Sequence, residues 1–273
     1  MKITRSTADK IILVFFLAII GFISAFPLYF IIVSATNARI DVVRGRMLFG
    51  NYLFTNYTNL AKNIPLYWGF FNSMRNALLG TLGSLIICSM AGYGFQVYRS
   101  KAKDRVMTIL LLSMMIPFSA IMIPLYRLTA SLKLLNSTAG IIMPSMATAF
   151  LIFFFRQCTQ SFPMEIVNSA RVDGVNEFGI YLRIFMPVMA PTFAAAAIVT
   201  FMSAWNNFLW PLIILQRETA KTLPVLITQL SSGYVTDYGM QLLAITISII
   251  PTLLIFIIGQ RRFVEGVLGA VKE

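Results

Sequence analysis

The sequence predicts an all-α, polytopic membrane protein with six transmembrane helices. Hydrophobic residues make up 58% of its 273 residues and charged residues only 12%, a composition typical of chains whose main solvent is the lipid bilayer. Six stretches without Asp, Glu, Lys or Arg each hold about 20 apolar residues, the length that a helix needs to cross. The expected spans lie within one domain, 1–273, at approximately 11–36, 72–97, 106–126, 138–156, 190–214 and 240–260.

The first span follows three basic residues, as a secretory signal would. Its apolar run is longer than the ~7–15 residues of a signal core, so we expect a retained helix, with cleavage as the alternative. Six retained spans put both termini on one side of the membrane. That side carries 13 Lys and Arg residues and the other carries eight, so the positive-inside rule predicts cytoplasmic termini.

The net charge of +12 comes from basic residues that are spread over every loop. Because no basic stripe with stacking aromatic residues occurs, the charge favours anionic membrane lipids as partners and not nucleic acid. The two cysteines, Cys88 and Cys158, lack metal-binding spacing, and no metal site is expected.

The expected spans lack the acidic and histidine side chains that ion-driven carriers commonly use. The sequence also lacks paired acids, a nucleophile with its base, and a phosphate-binding G-x-x-x-x-G-K-[ST] loop, so no catalytic residue is expected and an enzyme is not predicted. A membrane transporter without such groups would take its energy from another subunit. A stand-alone secondary carrier of sugars or other metabolites is the alternative.

Amide and indole groups within the spans are candidates for a substrate pathway. Trp205, Asn206 and Asn207 lie within an apolar stretch, and Asn76 lies near the start of the second span. Such groups need hydrogen-bonding partners in lipid. A sugar offers hydroxyls and a ring face that they could bind, and interhelical hydrogen bonding is the alternative.

A polar loop over 161–187 is longer than a simple connection between spans needs. We expect Ser161 and Asn176 to cap two short helices that are separated by a turn at Gly174. The first helix would lie flat and present polar groups such as Glu165. Balanced basic and acidic residues favour docking to a protein over an amphipathic helix that rests on lipid headgroups.

The segment Asn168-Ser-Ala-Arg-Val-Asp-Gly-Val175, followed by Ile184-Phe-Met-Pro187, resembles the Glu-Ala-Ala loop of ABC importer permeases. The resemblance covers nearly the whole chain. Within this family, the sequence most resembles the second permease subunit of carbohydrate importers of the maltose type. Other segments that carry it include Asn72-Ser-Met-Arg-Asn76, Trp205-Asn-Asn-Phe208 and Gln260-Arg-Arg-Phe-Val-Glu-Gly266.

This resemblance implies the type I importer permease (MetI-like) fold, with the loop as a coupling helix seated on the ATPase. The residues to which it assigns coupling are Glu165, Asn168, Ser169, Ala170, Arg171, Asp173 and Gly174. Asn168 and Ser169 replace the Glu and first Ala of the family pattern, and Glu165, one turn earlier, is the hypothesised substitute for that Glu.

The resemblance also implies the assembly and its function. The partners would be a homologous permease chain in a heterodimer, two copies of an ABC ATPase subunit, and an extracytoplasmic sugar-binding protein. ATP and Mg would bind to the ATPase, and no cofactor is expected on this chain. The implied function is binding-protein-dependent import of a di- or oligosaccharide across a bacterial or archaeal cytoplasmic membrane by alternating access.

Overall fold

The computed structural model describes residues 7–231 and 236–271, and gives side chains for 10–231 and 236–260. The described residues form helices and turns without a β-strand, which confirms the all-α prediction for them. The α-helices are α1 (Thr7–Ser34), α2 (Arg39–Val43), α3 (Leu53–Asn63), α4 (Leu66–Val97), α5 (Lys101–Ser113), α6 (Phe118–Ser131), α7 (Thr138–Ile142), α8 (Ala149–Gln160), α9 (Met164–Val172), α10 (Glu177–Ile180), α11 (Met186–Val188), α12 (Ala190–Trp205), α13 (Leu209–Ile214), α14 (Leu223–Gln229) and α15 (Tyr238–Val271).

Four segments of the described chain are long and apolar enough to cross a membrane: Lys10–Ser34, Leu66–Val97, Ala190–Ile214 and Tyr238–Gln260. Two further pairs reach that length only together, since α5 and α6 meet at 98° and the segment Thr138–Ser145 meets α8 at 48°. The described residues therefore provide four spans, or six if each bent pair crosses as one. The expected limits of the spans and the single domain stay predictions.

The third expected span, 106–126, contains the sharper bend. The helix ends at Ser113, and Pro117 stands before α6 in an extended conformation with ψ of 141°. A proline has no amide hydrogen and pushes the residue before it out of the helical region, so α5 cannot continue into α6. At the milder bend the Thr148 hydroxyl accepts the Leu151 amide at 3.3 Å and begins α8.

The described chain forms two compact units, of which one comprises residues up to 66 together with 226–250. Two buried asparagines organise this first unit. Asn37 and Asn56 donate their side-chain amides to backbone carbonyls at 2.9 to 3.0 Å. Gly239, at the start of α15, packs against both, and an added Cβ there would collide with them. These contacts fix the turn that follows α1.

The other unit comprises residues 67–225 and the chain from 251 onward. Near the start of α4, the Asn72 side-chain amide donates to the Thr219 carbonyl at 2.8 Å and the Ser73 hydroxyl accepts the Leu223 amide at 2.8 Å. Further along, α4 packs against α8 around the fully buried Phe155. The N-terminal turn of α5 is joined to α8 by the ion pair between Asp104 and Arg156.

Candidate functional sites: the 161–187 loop and a polar cavity

One face of α9 packs against the unit that comprises 67–225, and the other face is exposed. Val167 is completely buried and Ala170 is 6% exposed, and both join an apolar cluster formed with Tyr93, Cys158, Phe162, Ile180, Tyr181, Phe185 and Met189. These two residues are three positions apart, which puts them on the same side of the helix. Val172 is 89% exposed. An apolar side chain that exposed at the end of an anchored helix is available to a partner.

The turn after α9 has the geometry of a Schellman motif. Gly174 has a φ of +77°, a region that glycine adopts without steric cost. Its amide donates to the Arg171 carbonyl at 3.1 Å, and the Val175 amide donates to the Ala170 carbonyl at 3.0 Å. The expected turn at Gly174 is therefore present in the structure.

Of the two helix caps expected in the loop, one is present and the other is not. Asn176 begins α10, because its Oδ1 accepts the Gly179 amide at 2.7 Å, as expected. The expectation that Ser161 caps α9 is wrong. Pro163 occupies that position, and the Ser161 hydroxyl donates instead to the Cys158 carbonyl at 2.9 Å. The end of α8 uses the hydroxyl that the sequence assigned to α9.

Arg171 connects α9 to two other parts of the unit. Its Nε donates to the Glu177 carboxylate at 2.7 Å, its Nη1 donates to Asn168 Oδ1 at 3.3 Å, and its guanidinium lies 5.6 Å from the centre of the Tyr98 ring. Hydrogen bonds from Arg171, and secondly from Tyr98, lower the pKa of Glu177. The bond to Glu177 in turn raises the pKa of Arg171. The guanidinium is thus engaged within this chain.

The remaining residues expected to act in coupling lie on the open side of this loop. Glu165, Ser169 and Asp173 are exposed, as are Asn168 and Gly174. The structure therefore brings the expected residues together on one short helix and its turn, except Ala170, which faces the core. Their role in coupling stays a prediction.

A second candidate site is a cavity of about 290 Å³ in the unit that comprises 67–225. It lies between the middle of α4, the bend before α8 and the end of α12 with the turn that follows it. Its polar lining consists of Asn76, Ser84, Ser145, Thr148, Thr200, Ser203 and Asn207. Among the described residues, none of those that line it is acidic or basic. Two of the four residues expected to form a substrate pathway, Asn76 and Asn207, thus share one cavity.

Asn76 has an unusual environment for a polar side chain. It is 4% exposed, and neither its Oδ1 nor its Nδ2 has a hydrogen-bond partner among the described residues. Leaving a buried donor or acceptor unpaired costs about 1–3 kcal/mol. Such a cost is removed when a ligand, water or another chain supplies the missing partners.

The other two residues of the expected pathway lie outside the cavity lining. Trp205 is 1% exposed, and its ring packs edge-on against Phe70 at 5.5 Å and stacks with Phe201 at 6.0 Å. Asn206 is exposed and donates to the Met202 carbonyl at 2.9 Å, one turn back along α12. Trp205 therefore fills the core, and Asn206 closes the end of a helix.

Sequence reasoning missed the hydroxyl residues of the cavity. A signal for them was present, because Asn76, Gly80 and Ser84 recur every four residues and so share one face of α4. The cavity residues of α12, Thr200 and Ser203, are three apart and share a face in the same way. A periodic row of small and hydroxyl residues in an apolar helix indicates a lined cavity only when the opposing helix is known.

Comparison with known proteins decides the family. The protein-family model described as the binding-protein-dependent transport system inner membrane component matches residues 83–268. The chain belongs to this family. It is a permease subunit of an ABC importer, a membrane transport component and not an enzyme, and this confirms the resemblance found in the sequence.

Curated relatives match along almost the whole chain. The lactose transport system permease protein LacG of Rhizobium radiobacter is 42% identical over 256 residues, with 94% of both chains covered. The arabinooligosaccharides transport system permease protein AraQ of Bacillus subtilis is 35% identical, with 96% of each covered. The sn-glycerol-3-phosphate transport system permease protein UgpE of Escherichia coli is 28% identical, with 90% of this chain and 92% of UgpE covered.

Solved structures confirm the fold. The chain is similar, with a TM-score of 0.81 and 22% identity, to a chain of a bacterial ABC transporter involved in the import of the acidic polysaccharide alginate. That match covers 95% of this chain and 99% of the other. A chain of the MetNI methionine ABC transporter matches with a TM-score of 0.58 and 15% identity, over 74% of this chain and 95% of the other.

Proposed function

We propose that this chain forms half of the membrane pathway of an ATP-driven importer of a di- or oligosaccharide, and that α9 couples the pathway to the ATPase. The observation that carries this proposal is the two-sided burial of α9, with Val167 in the core and Val172 exposed. A helix anchored in this way transmits a push on its open face to the helices beneath it as a rigid-body movement. Family membership implies an ATPase and a binding protein as general partners.

The assembly that we propose contains a homologous permease chain, two copies of the ABC ATPase subunit, and an extracytoplasmic sugar-binding protein. ATP and Mg bind to the ATPase subunits, and this chain binds no cofactor. The exposed apolar length of α1 supports a further membrane-embedded neighbour or lipid along that helix: Phe15 is 67% exposed and Phe22 is 74% exposed. Cytoplasmic termini, supported by the distribution of Lys and Arg, put α9 on the side where ATP is available.

The names of the relatives support a sugar as the substrate. LacG and AraQ, whose names specify lactose and arabinooligosaccharides, are 42% and 35% identical to this chain. UgpE, whose name specifies sn-glycerol-3-phosphate, is 28% identical. A saccharide is therefore the substrate class that we assign.

The residues that would contact the ATPase are Glu165, Asn168, Ser169, Asp173 and Val172, which all lie on the open side of α9 and its turn. We assign positioning roles to the others, because Ala170 anchors the helix, Arg171 holds it to Glu177 and Gly174 forms the turn. Glu165 is the candidate for the carboxylate that the family pattern has at position 168.

The proposal is tested by purifying the chain from its native membrane and identifying its partners by mass spectrometry, followed by reconstitution in lipid vesicles. We expect an ATPase, a second permease and a sugar-binding protein to accompany it, and sugar uptake to require ATP. Val172→Asp should abolish sugar-stimulated ATP hydrolysis, whereas Val172→Ile should retain it. Uptake by this chain alone, without ATP, would show a secondary carrier instead. Unchanged stimulation in Glu165→Gln would exclude Glu165 as the substitute carboxylate.

A further inference from the structure

The cavity beside α4 has hydrogen-bonding capacity that the described residues do not use. Asn76 offers one acceptor and two donor hydrogens, and none of them is paired within the described residues. The Ser84 and Ser145 hydroxyls donate their protons to the Ser145 and Ile142 carbonyls, at 3.2 and 3.0 Å, so their oxygens remain available as acceptors. Thr148 accepts an amide and keeps its own proton to donate. Donors and acceptors are thus interspersed over a small area.

The rest of the lining is apolar. Ile141, Phe150, Leu151 and Val199 contribute side chains to the same cavity. A surface that combines carbonyl, amide and hydroxyl groups with aliphatic and aromatic carbon matches a sugar ring, whose hydroxyls both donate and accept and whose ring face presents C–H groups. A ligand that is only apolar would leave Asn76 unpaired.

We infer that this cavity is a subsite for one ring of an uncharged saccharide, held by Asn76 and Asn207, and this inference rests on the proposed transport function. Its volume of about 290 Å³ lies at the lower end of small-molecule pockets, which start near ~300 Å³, so it accommodates one ring and not a whole oligosaccharide. The substrate would then pass this chain ring by ring.

The absence of charge from the lining sets the substrate class. A phosphate or carboxylate that enters a site without a compensating cation loses its hydration and gains no ion pair. Arg75 precedes Asn76 in the chain, but it is not part of the lining, and its guanidinium lies 5.7 Å from the centre of the Phe71 ring. The subsite therefore selects against glycerol phosphates and acidic saccharides.

The test uses the complete importer, reconstituted in lipid vesicles with ATP and its binding protein, and a panel of uncharged saccharides that includes lactose and arabinotriose, with sn-glycerol 3-phosphate as the anionic probe. Asn76→Leu and Asn207→Leu should each lower kcat/KM for uptake about five- to tenfold, the loss of one or two hydrogen bonds. ATP hydrolysis stimulated by the loaded binding protein should persist, so the number of sugars imported per ATP falls. A general folding defect would lower both together.

The matched control is Thr81→Val. Thr81 is also on α4 and is 6% exposed, and its hydroxyl has no hydrogen-bond partner in the part of the chain that the structure describes, but it does not line the cavity. Uptake in this variant should equal that of the unmodified importer. A second measurement follows thiol labelling of Ser203→Cys, which uncharged saccharides should slow during turnover, whereas labelling of the exposed neighbour Asn206→Cys should not change.

The outcomes separate the two proposals. If the unmodified importer takes up no saccharide of the panel with ATP, the proposed function fails. If it takes them up but Asn76→Leu and Asn207→Leu behave like Thr81→Val, or if sugar does not protect Ser203→Cys, the subsite is wrong. Uptake of sn-glycerol 3-phosphate as efficient as that of the saccharides would overturn the selection against anions.

Discussion

A single methyl group added to α4 should separate it from α8. An added Cβ on Gly92 would lie 2.6 Å from Phe155 Cβ, 2.8 Å from the Arg156 amide nitrogen and 3.0 Å from the Ile152 carbonyl oxygen, whereas ordinary contact begins at 3.4 Å. Two of these three atoms belong to the backbone, so no side-chain rotation relieves the clash and α8 itself has to move. We therefore expect Gly92→Ala to destabilise the protein.

The same helix provides the control. Gly94 is two residues away, and an added Cβ there meets nothing within 4 Å. Both substitutions replace a helical glycine by alanine and gain about 1 kcal/mol in helix propensity. Their difference therefore isolates the packing cost, which for overpacked cores is about 1–3 kcal/mol.

The assay is thermal unfolding of the importer in detergent, together with sugar-stimulated ATP hydrolysis. A difference of 1 kcal/mol shifts Tm by roughly 2–4 °C in chains of ~150–250 residues, so Gly92→Ala should melt at least about 2 °C below Gly94→Ala. Because α8 leads directly into the loop that carries α9, stimulation should also fall in Gly92→Ala alone. If Gly92→Ala melts at or above Gly94→Ala, the close approach of α4 and α8 is wrong.

Three further predictions concern the loop and its supports. Gly174→Ala should lower the free energy of unfolding by about 1–2 kcal/mol because of the left-handed φ at this position, and it should lower sugar-stimulated ATP hydrolysis. Gly45→Ala, at a φ of +71°, should lower the free energy of unfolding as much without lowering that stimulation. Because hydrogen bonds lower the pKa of Glu177, the carboxylate stabilises the loop fully above its ordinary pKa of 4.5. This stabilisation is lost as pH falls through the lower pKa of the folded state. Hydrogen exchange of the loop should show this loss in the native chain and not in Glu177→Gln. Asp104→Asn removes the partner of Arg156, whose side chain is 11% exposed, and should cost about 1–3 kcal/mol in thermal unfolding. Asp41→Asn, from an exposed pair at 3.5 Å, should cost less than about 1 kcal/mol. Equal loss of sugar-stimulated ATP hydrolysis in Gly174→Ala and Gly45→Ala would contradict the first assignment. Acid release in Glu177→Gln would contradict the second, and equal losses of stability in Asp104→Asn and Asp41→Asn would contradict the third.

Local chemistry made part of this structure predictable. Long runs without charge predict helices of the right length, and Gly174 and Asn176 predict a turn and a cap because each acts on backbone groups within a few residues. The 98° angle between α5 and α6 was not predictable, since Pro117 ends one helix without determining the direction of the next.

The contents of the site depend on contacts between distant residues. Arg171 lies over Tyr98, more than 70 positions earlier. Asn76 of α4 and Asn207, in the turn between α12 and α13, line one cavity although they are far apart in the sequence. Trp205 and Asn206 have the same residue types that a sugar site uses, yet one packs in the core and the other closes α12. Which of three neighbouring polar residues reaches a cavity is decided by where the helix ends, a boundary that sequence patterns define only to within a few residues.

The helix α4 extends over 32 residues, or about 48 Å at 1.5 Å per residue. Its first turns hold the backbone of the 219–223 segment through Asn72 and Ser73, its middle lines the cavity, and Tyr93 near its end belongs to the cluster beneath α9. A continuous helix resists compression along its axis, so a lengthwise displacement at one end is passed to the other. In the proposed coupling, the distance over which this subunit would relay mechanical work is set by the length of one uninterrupted helix.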